Sequence, residues 1–333
     1  MVVLLVTKRY IVNGVFMPLP LKEVIEIIID NTRKRGSPVP IPVEDVVGWA
    51  EGLNLPRGGS VVIYTGLLYQ MIPYIDSFVK HLEDLEKSSV APVLMKVGRV
   101  VGRVIDLSKI IRVPREEIKK QHDVIRNIAR LLIKAGVNFG YLYEDDMYSG
   151  ALLYDLGLDD VFLEHATKVH QIFKKYGVRE IITIDPHTTH IMRSIYPKYI
   201  EDFDIKVINY LEILYDKKLN CRSLEIDVTI HDPCIYSRYE NIIDQPRKLL
   251  SNIGVKIIEP SRTKKMTFCC GGPIESLSPS LSKNIARIRM EELSTLSKRI
   301  VVMCPICYLS LSRVKTDDID LRDISDYLAR GCL

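Results

Sequence analysis

Apolar positions along the chain fall into short unbroken runs, separated by longer stretches in which they recur at helical spacing. The run Ser60-Val61-Val62-Ile63-Tyr64-Thr65-Gly66 is apolar at successive positions and ends in glycine, the pattern of a strand covered on both faces. Phe139 to Tyr143, Arg179 to Asp185, Asp227 to His231, Val255 to Ile258 and Arg299 to Cys304 repeat it, and Val2 to Val6 forms a further strand-like run. Helical periodicity predicts helices over Leu21 to Arg35, 74–87, 115–136, 157–176, Asp244 to Gly254 and 279–297, with Gly136, Gly177 and Gly254 as stops. The Pro-rich stretch between the first helix and Ser60 reads as an irregular arm with a short helix and a turn, and 92–113 is basic and Val-rich. Strands alternating with helices at this spacing predict α/β architecture, with a parallel sheet flanked by helices.

The pattern occurs twice. Residues from Gly150 to Met192 parallel those from Gly271 to Leu311: a glycine-led loop enters a helix, then a buried strand, then X-Pro-X-X at the strand's carboxyl end. Tyr148-Ser149-Gly150 stands where Cys269-Cys270-Gly271 stands, and Asp185-Pro186-His187-Thr188 where Cys304-Pro305-Ile306-Cys307 stands, with separations of 37 and 35 residues. Two copies of one unit are therefore expected, and only the second carries cysteines.

At 333 residues and 47% hydrophobic content the chain has core enough for two domains. A net charge of +4, mixed along the sequence, argues against a nucleic-acid partner. The longest apolar runs are too short to span a bilayer, and Lys8-Arg9 follows the first one without a cleavage site, so a cytoplasmic location is expected. Association at the periphery of a membrane complex remains compatible with that. Abundant Ile, Lys, Arg, Glu and Tyr with scarce Gln lean thermophilic.

Thiols in a reducing compartment read first as metal-binding or catalytic. Cys234, Cys269, Cys270, Cys304 and Cys307 each lie just past a predicted strand, and strand carboxyl ends of a parallel sheet share one edge. Five thiols thus converge. Adjacent cysteines suit tetrahedral zinc poorly, and a Cys304/Cys307 redox pair leaves three thiols unexplained. An iron–sulfur cluster spreads several irons over a few ångströms and accommodates adjacent thiolates, with Gly271 and Gly272 letting backbone N–H groups approach its sulfurs. Zinc stays as the alternative metal. Cys221 and Cys332 fall outside the constellation and are expected to be small buried hydrophobes.

The series His231-Asp232-Pro233-Cys234, Cys269-Cys270-Gly271-Gly272 and Cys304-Pro305-Ile306-Cys307, with Arg238 and Pro246-Arg247, resembles the CCG-domain iron–sulfur proteins. These include the B-type and D-type components of heterodisulfide reductase and the iron–sulfur subunits of glycolate, lactate and glycerol-3-phosphate oxidases. The lead cysteine to Cys-Cys-Gly distance is 35 residues and the step to Cys-X-X-Cys is 34. The segment from Arg33 to Leu53 also looks like the leading segment of the branch that holds the D-type reductase components and the oxidase subunits. The resemblance implies an arm over 1–60 and two pseudo-twofold-related domains at 61–222 and 223–333, the second with a full ligand set. It further implies one [4Fe–4S] cluster, cubane or non-cubane, on those five cysteines, with Gly271, Gly272 and His231 around it. A small disulfide or thiol substrate and a ferredoxin-like or flavoprotein partner subunit follow from the same likeness.

The departures lie in the first half. Its lead cysteine would fall near Leu67 and is absent, as are the Cys-Cys-Gly and Cys-X-X-Cys. Asp185 and His187 offer a conceivable His/Asp metal site there, but a purely structural first domain is the leading expectation. A ferredoxin-like Cys-X2-Cys-X2-Cys run is not found in the sequence, so electrons are expected to come from another polypeptide. Arg238 and Arg247 read as salt-bridge partners ahead of charge neutralisers for a cluster. A nucleotide-binding enzyme is disfavoured, because no G-x-G-x-x-G or P-loop follows any strand.

Overall fold

The computed structural model describes residues 21–86, 113–217, 219–275 and 277–333. The strand expected at Val2 to Val6 and almost all of 92–113 lie outside them. Two four-stranded parallel sheets carry the fold, flanked by thirteen α-helices among the described residues. The first sheet contains β1 (Val61–Tyr64), β2 (Gly140–Tyr141), β3 (Glu180–Thr183) and β4 (Lys206–Asn209) in the order β2-β1-β3-β4. The second contains β5 (Ile226–Ile230), β6 (Val255–Ile258), β7 (Arg299–Val302) and β8 (Asp320–Asp323) in the order β6-β5-β7-β8. The two orders are the same, as the repeat requires.

Register makes the equivalence residue-specific. Val62 faces Ile181 in one ladder and Thr229 faces Ile300 in the other. Counting forward from those pairs, Leu67 corresponds to Cys234, Asp185 to Cys304 and Thr188 to Cys307. Gly150 and Gly271 share a φ of 89° at the head of a short helical segment, which aligns Tyr148-Ser149 with Cys269-Cys270. The first half therefore fills the five thiol positions with Leu67, Tyr148, Ser149, Asp185 and Thr188, all buried.

The helix predicted at 74–87 begins earlier, at Leu68, directly after Gly66 and Leu67 take positive φ (54° and 57°) to turn the chain off β1. The helix at Asp159–Tyr176 matches its prediction: acids occupy its first turn, Lys174 and Lys175 its last, and Gly177 closes it at φ 66°. β4 and β8 escape the sequence pattern. Both are edge strands whose residues (Lys-Val-Ile-Asn and Asp-Leu-Arg-Asp) lack an apolar run.

One buried cluster joins the halves. Trp49, Ile63, Tyr141 and Ile182 from the first pack in the same core as Val228, Ile230, Val301 and Tyr327 from the second. Polar contacts stitch the boundary: Tyr69 donates to Asp323 at 2.8 Å, Asn209 donates to Tyr236 at 2.7 Å, and Arg313 pairs with Asp76 at 2.8 Å.

One sequence expectation is corrected. Cys221 and Cys332 are joined in a disulfide across 111 residues, tying the stretch before β5 to the last helix, Ile324–Cys332. The reading as isolated small hydrophobes rested on compartment chemistry and on distance in sequence, and packing brings their Cα atoms to 4.2 Å.

Candidate functional site: a cysteine cradle between the halves

The carboxyl ends of β5 and β7 deliver the cysteines. Cys304 caps the helix Pro305–Ser312, and Cys307 lies in its first turn, so both sulfurs sit at the positive end of that helix. Cys234 follows the His231-Asp232-Pro233 turn. That turn is pinned by Arg247, which grips Asp232 with two hydrogen bonds of 2.9 Å and reaches Glu259 at 2.7 Å. Burial pushes the Asp232 carboxyl up, but the Arg247 pair and the Lys264 and Thr263 donors outweigh it and hold the group low. Arg238 donates to the carbonyls of Lys265 and Thr267, fixing the stretch that leads to Cys269. Both arginines are thus props for the loops, Arg247 through salt bridges as expected and Arg238 through backbone carbonyls instead.

Cys270, Cys304 and Cys307 are buried, and Cys234 and Cys269 are partly exposed; none of the five is in a disulfide. Cys234, Cys270, Cys304 and Cys307 line one cavity of about 320 Å³, together with His187, Asp155, Pro186, Pro233, Ile235, Pro273 and Ile306. Cys269 sits beside it, hydrogen-bonded to Cys270 and accepting from the Gly271 N–H at 3.3 Å. Glycine is required at both following positions. A Cβ on Gly271, whose φ is +89°, would lie 2.4 Å from the Ser282 carbonyl oxygen; one on Gly272 would lie 2.2 Å from Ile306 Cγ2 and 3.4 Å from Cys270 Sγ.

Charge is unevenly shared among the sulfurs. Hydrogen bonds from Cys269 and Cys307 hold the Cys270 thiol well below its usual range despite burial. Burial pushes Cys304 up, yet the neighbouring Cys307 and His187 bring it below the usual thiol range. Burial raises Cys234 to about 11, and the bond to Cys270 raises Cys269 and Cys307.

His231 is the one residue of the predicted set whose role the structure narrows. Its ring, Cys270 Sγ and Cys307 Sγ offer atoms within 4.8 Å of one another. Arg289, itself completely buried, donates from Nε to His231 Nδ1 at 3.0 Å. Nδ1 is therefore an acceptor, and the neutral ring carries its proton on Nε2. Nε2 has no hydrogen-bond partner of its own. A protonated Nε2 beside Cys270 suits donation to a sulfur and leaves no lone pair for a metal, which weighs against a zinc site built on His231. The buried Nε2, the Gly271 N–H and the convergent thiolates together fit an iron–sulfur cluster.

Sequence reasoning missed Arg289, which is 58 residues from His231, and the part played by His187. Asp185 caps the helix Pro186–His190 by accepting from the Thr188 N–H at 2.9 Å, and burial raises its carboxyl to about 6. His187 faces the cysteines of the other half. A second, apolar cavity of about 130 Å³, walled by Ile28, Met71, Ile75 and Phe78, shares Asp155, His187, Pro273 and Ile306 with the thiol cavity.

No helix among the described residues is long and apolar enough to cross a membrane. Residues 228–312 match the family model of the cysteine-rich CCG domain. A probable iron–sulfur-binding oxidoreductase of Bacillus subtilis is 29% identical over 62% of this chain and 31% of its own length. The EtfAB:quinone oxidoreductase of Syntrophomonas wolfei is 34% identical over 43% of this chain and 21% of its own length. The D-type component of the dihydromethanophenazine:CoB–CoM heterodisulfide reductase of Methanosarcina mazei is 31% identical over 55% of this chain and 48% of its own. The chain thus matches less than half the length of each of these relatives. The cysteine spacing, the cradle and the match over residues 228–312 agree, and this stretch of the chain is similar to the CCG cysteine-rich domain.

Proposed function

We propose that Cys234, Cys269, Cys270, Cys304 and Cys307 hold one [4Fe–4S] cluster and that the chain is an electron-transfer subunit of a heterodisulfide reductase-like or flavin-linked oxidoreductase complex. The observation that carries this reading is the convergence of five unpaired cysteines, two of them favoured as thiolates, on the edge of one parallel sheet. The relatives, named as iron–sulfur oxidoreductases and subunits of redox complexes, support it. When bound, such a cluster accepts and releases one electron at a time. The protein's part is to position and insulate. The helix at Pro305–Ser312 directs its N-terminus at two sulfurs, Gly271 supplies an N–H to a third, and His231 aims a proton at Cys270. A small thiol or disulfide is the substrate class this reading assigns, approaching through the cavity of about 320 Å³ that four of the cysteines line. In the first half, Leu67, Tyr148, Ser149, Asp185 and Thr188 offer no thiolate, which supports one cluster per chain and electron supply from a ferredoxin-like or flavoprotein partner.

Anaerobic purification or reconstitution followed by iron and sulfide analysis and EPR tests the reading. Four irons per chain with a reducible EPR signal are expected. A colourless protein carrying one zinc per chain would overturn it.

A further inference from the structure

The structure assigns a task to the cysteine-free half: we infer that His187 crosses the boundary to donate a hydrogen bond to the Cys304 sulfur and thereby sets the reduction potential of the cluster held by the other half. The inference rests on the cluster reading above.

The equivalence of the halves makes His187 the counterpart of Ile306, since Asp185 corresponds to Cys304 and each lies two residues further on. These two side chains meet in the same place. Both line the thiol cavity and the apolar cavity beside it. Each serves the half it does not belong to. Ile306 packs against the core of the first half, which includes Leu67, Leu68 and Met71, as well as against its own. His187 lines the thiol cavity beside Cys304 of the second, close enough for the two groups to act on each other. This helix position therefore faces across the boundary in either copy, and the side chain placed there decides what it contributes. An isoleucine gives packing; an imidazole gives an N–H donor beside a buried sulfur.

The local fold holds His187 in that role. Pro186 starts its helix, and Asp185 caps it by accepting the Thr188 N–H at 2.9 Å, so the imidazole leaves a fixed first turn. Asp155, from the same half, lines both cavities beside it. A cysteine sulfur bound to iron has no proton to give, so in the loaded site the imidazole N–H is the donor. Hydrogen bonds to cluster sulfurs offset negative charge that grows on reduction and raise the potential. His187 is thus a positioning residue for the cluster.

The test uses the full chain with His187→Phe and His187→Gln, loaded with iron and sulfide. Iron content and an EPR-monitored redox titration are read for each. All three proteins are expected to carry the same iron, with the midpoint potential of the Phe variant moved negative and that of the Gln variant, whose amide still donates, lying between it and wild type. An unshifted potential in an iron-loaded Phe variant overturns the inference. So does loss of iron from both variants, which would make His187 a residue needed for assembly. A wild-type protein without iron overturns the cluster reading itself, a result distinct from both.

Discussion

Leu67 occupies in the first half the place that Cys234 occupies in the second, five residues past paired strand positions in both ladders. One is a fully packed aliphatic side chain and the other a partly exposed thiol. Leu67→Ala should therefore cost about 2–5 kcal/mol of stability, as core truncations do, and leave iron content unchanged. Cys234→Ser should do the reverse, with little change in urea midpoint and a marked loss of iron. Denaturation and iron analysis on the two variants separate the roles; iron loss in both would contradict the assignment.

The paired glycines give a second dissociation. Alanine at Gly150 or Gly271 is strained by a φ of +89°, at roughly 1–3 kcal/mol. At Gly271 the added Cβ also strikes the Ser282 carbonyl, whereas at Gly150 it meets only ring atoms of Phe162 and His165 at 3.1 Å and beyond. Both variants should melt lower, and only Gly271→Ala should lose cluster absorbance.

The disulfide closes a loop of 111 residues, for which chain entropy predicts roughly 5 kcal/mol. Cys221→Ser and Cys332→Ser should each reduce stability by about that amount without altering iron content. Dithiothreitol should lower the unfolding midpoint of metal-free wild type and leave either variant unaffected.

Asp323 predicts a pH signature. Burial raises its carboxyl to about 7, against about 3.9 in the unfolded chain. Below pH ~4 both states hold the proton. Between ~4 and ~7 only the unfolded chain releases it, so the contribution of this group to stability falls as pH rises. Asp323→Asn keeps a capping oxygen for the Ser325 N–H and fixes the neutral state. The stability of wild type relative to this variant should decline by up to ~1.4 kcal/mol per pH unit across that window, as measured by urea unfolding. A flat difference would show that Asp323 is ionised in the fold.

The strands at Val61–Tyr64 and Arg299–Val302 were legible because they are buried on both faces and their apolar runs are unbroken. The repeat was legible because glycine and proline mark backbone turns that both halves need. Cys234, Cys304 and Cys307 were legible because strand ends converge in any parallel sheet; Cys269 and Cys270 were expected to follow a strand and instead follow the turn at Lys264–Met266. Contacts that depend on how elements pack left no local trace. Arg289 looks like any helical arginine until its helix lies against His231, and β8 reads as a charged turn until β7 supplies its ladder. His187 was visible, but its target lies outside its own half. The sequence announces a strand end, and only the meeting of two sheets tells which sulfur lies opposite.

The core that Trp49, Ile63 and Tyr141 share with Val228, Val301 and Tyr327 carries a consequence for cooperativity. Neither sheet can be stripped of its neighbour without exposing that layer to water, so the chain should melt in a single transition. The half without thiols is then indispensable on thermodynamic grounds as well: deleting it would unfold the half that carries them.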